Sequence, residues 1–375
     1  MSRRNAPEHR EVLVVGAGPG GSAAATRLAE EGVDVLVLER REVVGNPAQC
    51  GECVPFWGEM LPTFPNLADD AWLADWFEFP SRVITKHLDW MRVFSPGMRP
   101  YAFDLDCFAT QRLQFDGHLA DRAVAAGAEI RTGTPLTNVH TRGEKDVYIT
   151  PEGRFTADHV IDATGALAHV ARLRDQGMRP KGQLPTIYAQ VSGDLPDSFD
   201  VFLGGVAPGG YAWIIPKGET ANVGLGMVTS KIREPLKHTL NRFCADLDLR
   251  ILSYGGGWIP LARPPKRAVS GNVLAVGDAA GLVMPSNGGG IGQAMVSGKF
   301  AADAILANKR TGAALSEYDA ILEHTLRKPL RISARSKLLF QTFCRTDLAT
   351  EAAMRVLGRG GIQRAIECHR PFYII

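Results

Sequence analysis

EVLVVGAGPGGSAAATRLAEEGVDVLVLER, residues 11–40, is the stretch whose reading decides the fold of this chain. Val12 to Val15 are four consecutive apolar residues and predict a short buried strand. Gly16, Gly18 and Gly21 follow at GxGxxG spacing, ahead of an Ala-rich helix expected to run to Gly32. A second strand is predicted over 35–38 and ends at Glu39, about 20 residues past the last glycine. Each part has a physical task. Gly16 permits the tight turn, Gly18 lets a pyrophosphate approach the backbone, and Gly21 lets helix and strand pack closely, while the helix N-terminus turns its free N–H groups toward the phosphates. Glu39 stands where a carboxylate accepts both ribose hydroxyls and repels a 2′-phosphate, which favours FAD or NAD over NADP. A GxGxxG alone occurs in glycine-rich loops of many α/β proteins. Here strand, helix, second strand and acidic end lie in register, and together they predict a dinucleotide-binding unit.

Working outward, 375 residues with 45% hydrophobic content are enough for two or three domains with ordinary cores. Lys and Arg number 42 against 40 Asp and Glu, so the net charge of +2 gives no reason to expect a nucleic-acid partner. The basic start MSRRNAPEHR is followed by no apolar run of signal-peptide type and is expected to be disordered. No apolar stretch approaches the roughly 20 residues needed to cross a bilayer. The six cysteines are too sparse for a disulfide scaffold, which fits a reducing cytoplasm. Only Cys50 and Cys53 form a close pair, and without a second CxxC or a His pair at zinc-finger spacing no metal site is expected.

After Glu39 comes a long loop, residues 40–55, containing CGEC at 50–53. Residues 56–103 are dense in aromatics from Trp57 to Phe103, a composition that serves a core or an apolar ligand wall equally well. QRLQFD, 111–116, opens an amphipathic helix that Gly127 is placed to end. Two short strands around the turn at 151–153 lead into HVIDATG, 159–165, expected to rejoin the first sheet. From about 181 to 265 helical periodicity fades and Gly and Pro become frequent, which predicts a β-rich unit, with 210–216 and 221–227 as a hairpin. Asn272 to Asp278 reads as a buried strand ending in Gly-Asp before a glycine-rich turn and a long helix. Residues 313–345 look helical again, with a break near Pro329.

Taken together, these residues resemble the geranylgeranyl reductase family, flavoproteins of the p-hydroxybenzoate hydroxylase fold that include the archaeal digeranylgeranylglycerophospholipid reductases. Five motifs carry the resemblance over roughly residues 11–310. They are VLVVGAGPGGSAAA with Glu39, the cysteine loop 47–54, Arg112 of QRLQFD, Tyr211-Ala-Trp213-Ile-Ile-Pro216 followed by Gly224-Leu-Gly226, and Gly277-Asp278 with Pro285 and Gly288-Gly289-Gly290. The resemblance implies a Rossmann-like α/β FAD-binding domain built from 1–80, 104–180 and 266–310. A β-rich substrate domain of 81–103 and 181–265 would be inserted in it, and a helical region, 311–375, would follow. It implies FAD held by Gly16, Gly18, Gly21, Glu39, Arg40, Cys50, Arg112, Gly277, Asp278, Pro285, the three glycines 288–290 and Ile291. It also implies reduction of isoprenoid C=C bonds on a prenyl-chain lipid or prenyl diphosphate, with NAD(P)H or ferredoxin as electron donor. Three positions depart from the family pattern: Cys53 replaces glycine, Ile215 replaces phenylalanine, and Thr164 stands where Asp is common.

Reducing an isolated alkene calls for hydride from the flavin on one carbon and a proton on the other, in a dry pocket. Cys50 is the candidate proton donor. Tyr211 and Trp213, two apart on a strand, share a face and form a candidate wall for the chain; a plain core pair is the alternative. The helix after Gly290 would direct its N–H groups at the anionic flavin. The competing enzyme class is a flavin monooxygenase or halogenase, for which Lys86 and Lys217 are the candidate tunnel lysines; a dithiol oxidoreductase using Cys50 and Cys53 is a third. A lipid substrate implies a cytoplasmic protein that touches membranes transiently through residues in 56–103 or the C-terminal helices, with little dependence on salt.

Overall fold

A computed structural model describes residues 6–142, 145–174 and 178–367; residues 1–5 of the expected disordered start lie outside these, as does Cys368. Two eight-stranded sheets organise the chain. In the first, Val273–Ala275, Arg154–Asp162, Glu8–Val15, Val35–Leu38 and Glu129–Arg131 lie side by side and parallel. Val269–Ser270 closes one edge, and the Asn138–Arg142 and Lys145–Ile149 hairpin pairs onto Arg154–Asp162. The first strand begins at Glu8, so part of the expected disordered start is ordered: Glu8, His9 and Arg10 pair with Phe155, Thr156 and Ala157. Val12 to Val15 are buried on both faces, as a continuous apolar run requires once helices cover both sides of a parallel sheet. The covering helices include Pro19–Ala29, Arg112–Ala125 and Ile291–Thr311. Gly16, Thr164 and Gly277 each follow the carboxyl end of one of three adjacent parallel strands, the edge where such sheets hold their ligands.

The second sheet is mostly antiparallel and runs Arg250–Pro260, Gln183–Ser192, Ala221–Gly226, Tyr211–Pro216, Phe199–Phe202, Lys86–Phe94, Pro100–Ala109, Cys53–Pro55. It therefore takes Cys53–Pro55 and residues 104–109 from segments expected to belong wholly to the first unit. The reason is pairing. Residues 53–55 run antiparallel to 107–109, which continue a strand begun at Pro100. A helix, Leu236–Asp246, also lies in the supposedly helix-free region; its buried Leu240, Phe243 and Cys244 cover one face of the sheet.

Of the aromatics in 56–103, Phe64, Trp76 and Phe77 are buried in the main core, where Trp57, Trp72 and Phe79 also pack. Tyr101 and Phe103 join a second cluster under the C-terminal helix. Pro329 does not break the C-terminal helical region. It sits in the first turn of Lys328–Phe343, after the Glu323–Arg327 segment whose wider π-type turn relieves the hydrogen bond that proline cannot donate. A final helix, Asp347–Ile366, kinks at Gly358 and packs Met354, Leu357 and Ile362 against Met91, Val93, Tyr101 and Phe103 of the second sheet.

Candidate active site

The nucleotide loop is set by space. Gly16 has φ +106°, and a Cβ there would lie 2.4 Å from the Ala163 carbonyl oxygen; one on Gly21 would lie 1.9 Å from that of Gly16. A Cβ on Gly18 would meet nothing within 4 Å, so Gly18 marks the open side of the turn. The buried Glu39 carboxylate accepts from the Ala17 and Arg41 N–H groups, both at 2.9 Å, which ties the end of the second strand to the glycine turn. Arg40 is exposed beside it. Asp278, half-buried after the Val273–Ala275 strand, forms no side-chain hydrogen bond among the described residues; burial pushes its pKa up to about 6, against the pull of Arg112. Pro285 is buried, and Ile291 opens the long helix against the core. An open glycine turn, a fixed acid at the ribose position and an unpaired carboxyl at the end of the third strand suit a flavin dinucleotide.

Cys50 and Arg112 come together. Burial raises the Cys50 thiol pKa above its ordinary value, although the Arg112 guanidinium beside it opposes the rise, and the Glu52 N–H donates to Cys50 Sγ at 3.2 Å. Burial works against the Arg112 charge, but the Asp116 carboxylate outweighs it and holds the guanidinium firmly protonated; Nε and Nη2 donate to the two Asp116 oxygens at 2.8 and 2.7 Å. Cys53 points elsewhere. It enters the second sheet, where its contact with Cys107 and burial raise the Cys107 thiol well above the ordinary range. Cys50 thus has Arg112 beside it and Cys53 has Cys107, although both lie near Tyr211, and all five described cysteines are free thiols.

Facing the loop is the Tyr211–Pro216 strand. Trp213 lies directly opposite Gly224 and Tyr211 opposite Gly226 on the paired strand. A Cβ on Gly224 would fall 2.3 Å from Trp213 Cζ2, so glycine is what allows the indole to lie across its neighbour. The aromatic and glycine halves of this motif are one cross-strand arrangement. The Trp213 and Tyr211 rings stand 5.9 Å apart at 57°, in a cluster with Leu88, Tyr188, Ile215 and Cys53. The Tyr211 hydroxyl donates to the Asn287 carbonyl in the glycine-rich turn, linking the second sheet to the second nucleotide motif. Trp213 Nε1–H donates to Asn222 Oδ1 at 2.9 Å, which occupies the polar atom of this buried ring.

The sequence did not single out Glu52, Gln190 or Asn222, nor connect Lys217 to them, and these residues hold the cysteine loop. Glu52, with φ +68° and its side chain almost fully buried, accepts at Oε2 from Lys217 Nζ (2.6 Å), Gln190 Nε2 (2.7 Å) and Asn222 Nδ2 (3.1 Å), and at Oε1 from the Arg112 N–H (3.2 Å). Asn222 also donates to the Cys50 carbonyl, and the Tyr188 hydroxyl to that of Ala48. The available signal was a charged residue inside a loop motif and a lysine ending a buried hairpin strand, with nothing to connect them. Lys217 is therefore a buried structural partner of Glu52, and Lys86 pairs with Asp197 at the surface, so neither stands as a halogenase tunnel lysine.

Residues 186–257 match the family model of the geranylgeranyl reductase catalytic domain, and 11–179 that of FAD-dependent oxidoreductases. The digeranylgeranylglycerophospholipid reductase of Methanocella arvoryzae is 34% identical over 345 residues, 85% of this chain and 84% of that one. The protein of the same name from Thermoplasma volcanium is 29% identical over 96% of both chains. A crystal structure of a geranylgeranyl bacteriochlorophyll reductase-like protein from Thermoplasma acidophilum superposes with a TM-score of 0.83 at 25% identity, covering 94% of this chain and 92% of that one. A flavin-dependent brominase, 18% identical, shares the fold at a TM-score of 0.72 over 97% and 96% of the two chains. Two sheets of this kind, with the nucleotide turn on the first, define an FAD-dependent oxidoreductase of the p-hydroxybenzoate hydroxylase type. The chain belongs to the geranylgeranyl reductase family.

Proposed function

We propose that this protein reduces C=C bonds of a geranylgeranyl-type chain carried by a glycerol lipid or diphosphate. The observation that carries the reading is the apposition of the Cys50 loop, at Gly51, to the Tyr211 and Trp213 strand, bridged to the Asn287 turn through the Tyr211 hydroxyl. FAD, when bound and reduced, supplies a hydride to one alkene carbon. Gly16, Gly18, Gly21 and Glu39 would hold its ADP half, and Gly277, Asp278, Pro285, the glycines 288–290 and Ile291 its inner half, with Arg112 supplying positive charge nearby. Trp213 and Tyr211 exclude water and orient the chain. Cys50, kept as a neutral thiol by burial, holds the proton that the second carbon needs; the Glu52 network fixes the height of that thiol above the wall. The electrons would come from NAD(P)H or ferredoxin.

The division into an FAD domain (1–80, 104–180, 266–310), a substrate domain (81–103, 181–265) and a helical region is retained as a proposal, with Cys53–Pro55 and 104–109 pairing into the second sheet. The test is anaerobic incubation of the reduced protein with geranylgeranyl diphosphate and with geranylgeranylated glycerol lipids. The expected product carries two added hydrogens per bond reduced. An oxygenated or halogenated product formed in air would move the protein to the monooxygenase class.

A further inference from the structure

We propose that the outer face of the two C-terminal helices docks onto an anionic lipid bilayer; this deepens the reading of the substrate as a membrane lipid. The helices Lys328–Phe343 and Asp347–Ile366 follow one another in the chain and pack together. Their inner sides are committed. Gln341 donates to the Gly209 carbonyl and Lys337 to that of Leu261, while Met354, Leu357 and Ile362 sit in the cluster that includes Tyr211.

Their outer sides carry the largest apolar exposures among the described residues: Leu348 at 82%, Val356 at 77%, Phe343 at 70% and Leu338 at 64%. Leu348 and Val356 are eight residues apart on one helix, two turns along the same stripe. Side chains this large, exposed together, are costly in water and mark a surface that something covers.

Charge identifies the occupant. Exposed Arg335, Arg345, Arg355 and Arg359 are interleaved with the apolar positions. Of the acids on the same stretch, Asp347 faces the Gly204 and Gly205 backbone, and Glu351 is taken up by Arg355 and the Gly97 N–H. Among the described residues Arg335, Arg345 and Arg359 form no ion pair. Arginines set between large apolar side chains on a helix surface match a bilayer with negative headgroups, where the apolar residues enter the acyl boundary and the guanidiniums meet phosphate. No helix among the described residues is long and apolar enough to cross a membrane, so the contact is interfacial. The inner side of the same helix packs against the cluster holding Tyr211, so docking there sets a lipid next to the proposed chain wall. The arginines also revise the expectation of salt-independent contact, since a guanidinium contribution is screened by salt.

The experiment is co-sedimentation of the flavin-loaded full chain with phosphatidylcholine vesicles, with and without added phosphatidylglycerol. Wild type is expected on the anionic vesicles and released by salt. Leu348→Asp/Val356→Asp should weaken binding at least about tenfold, and Arg345→Glu/Arg359→Glu by on the order of 20-fold on anionic vesicles only. Both variants should turn over soluble geranylgeranyl diphosphate like wild type. Equal vesicle binding by all three proteins, no binding by wild type, or a wild-type dimer that the apolar double variant dissolves would each overturn the proposal. Vesicle binding without reduction of any prenyl substrate would instead count against the proposed function and leave this surface standing.

Discussion

Removing the Lys217 ammonium tests whether the cysteine loop is held by charge. In Lys217→Met the methylene stem is kept, while the buried charge, its 2.6 Å bond to Glu52 and its 3.4 Å bond to Gln190 Oε1 are lost. Breaking one partner of a buried ion pair costs about 3–5 kcal/mol, because the other is left charged without compensation. Glu52 retains Gln190 and Asn222 at Oε2 and the Arg112 N–H at Oε1, so the lower end of that range, about 3 kcal/mol, is expected. The double variant Glu52→Gln/Lys217→Met removes both charges and should fall short of the summed single losses by about 2 kcal/mol. Urea unfolding of the flavin-free proteins, followed by tryptophan fluorescence, reads both quantities. Flavin-loaded samples then report whether the loop still supports binding. A single-variant loss below about 1 kcal/mol, or strict additivity in the cycle, would refute the account and reduce the pair to a bystander.

The other predictions test separate parts of the site. Asp278 has a folded pKa of about 6, raised above its ordinary 3.8, so its contribution is present at low pH and lost as pH rises through about 6. Flavin-free Asp278→Asn should match wild type in acid and exceed it by up to about 3 kcal/mol at neutral pH, while binding FAD more weakly; equal pH profiles would count against the assignment. Gly224→Ala places a methyl 2.3 Å from Trp213 Cζ2 and 2.7 Å from the Ile187 carbonyl, and should cost about 2–3 kcal/mol with a shift in tryptophan emission; an unshifted spectrum at wild-type stability would contradict the packing. Cys50→Ser should lower alkene turnover about tenfold with FAD retained, whereas Cys53→Gly should leave turnover nearly intact. Equal large losses from both would point back to dithiol chemistry.

What was legible in the sequence was whatever is specified within a few residues. The Gly16 turn, the Glu39 end and the Gly277-Asp278 turn announce themselves because an apolar run, a glycine and an acid stand in fixed local order. The Tyr211 and Ala221 hairpin did so as two strand-like runs about a short turn. The Leu236–Asp246 helix was obscured by surrounding Gly and Pro, and the Glu8–Arg10 start of the first strand by its charges, which are tolerated because Arg10 reaches Asp34 and Glu8 reaches Arg131. The Glu52 cluster left no trace in periodicity. Its members are single polar residues on four separate segments, and only the folded arrangement makes them neighbours.

The Glu52 contacts also fix when the site can form. Its partners Gln190, Lys217 and Asn222 lie 138, 165 and 170 residues further along the chain. Closing loops of that length is entropically slow, and the reward arrives only after both sheets exist and have met. The positive φ at Glu52 has only its N–H bond to Cys50 Sγ as local support before then. During refolding, far-ultraviolet dichroism should therefore recover ahead of prenyl-chain turnover, with the cysteine loop among the last segments to acquire its working shape.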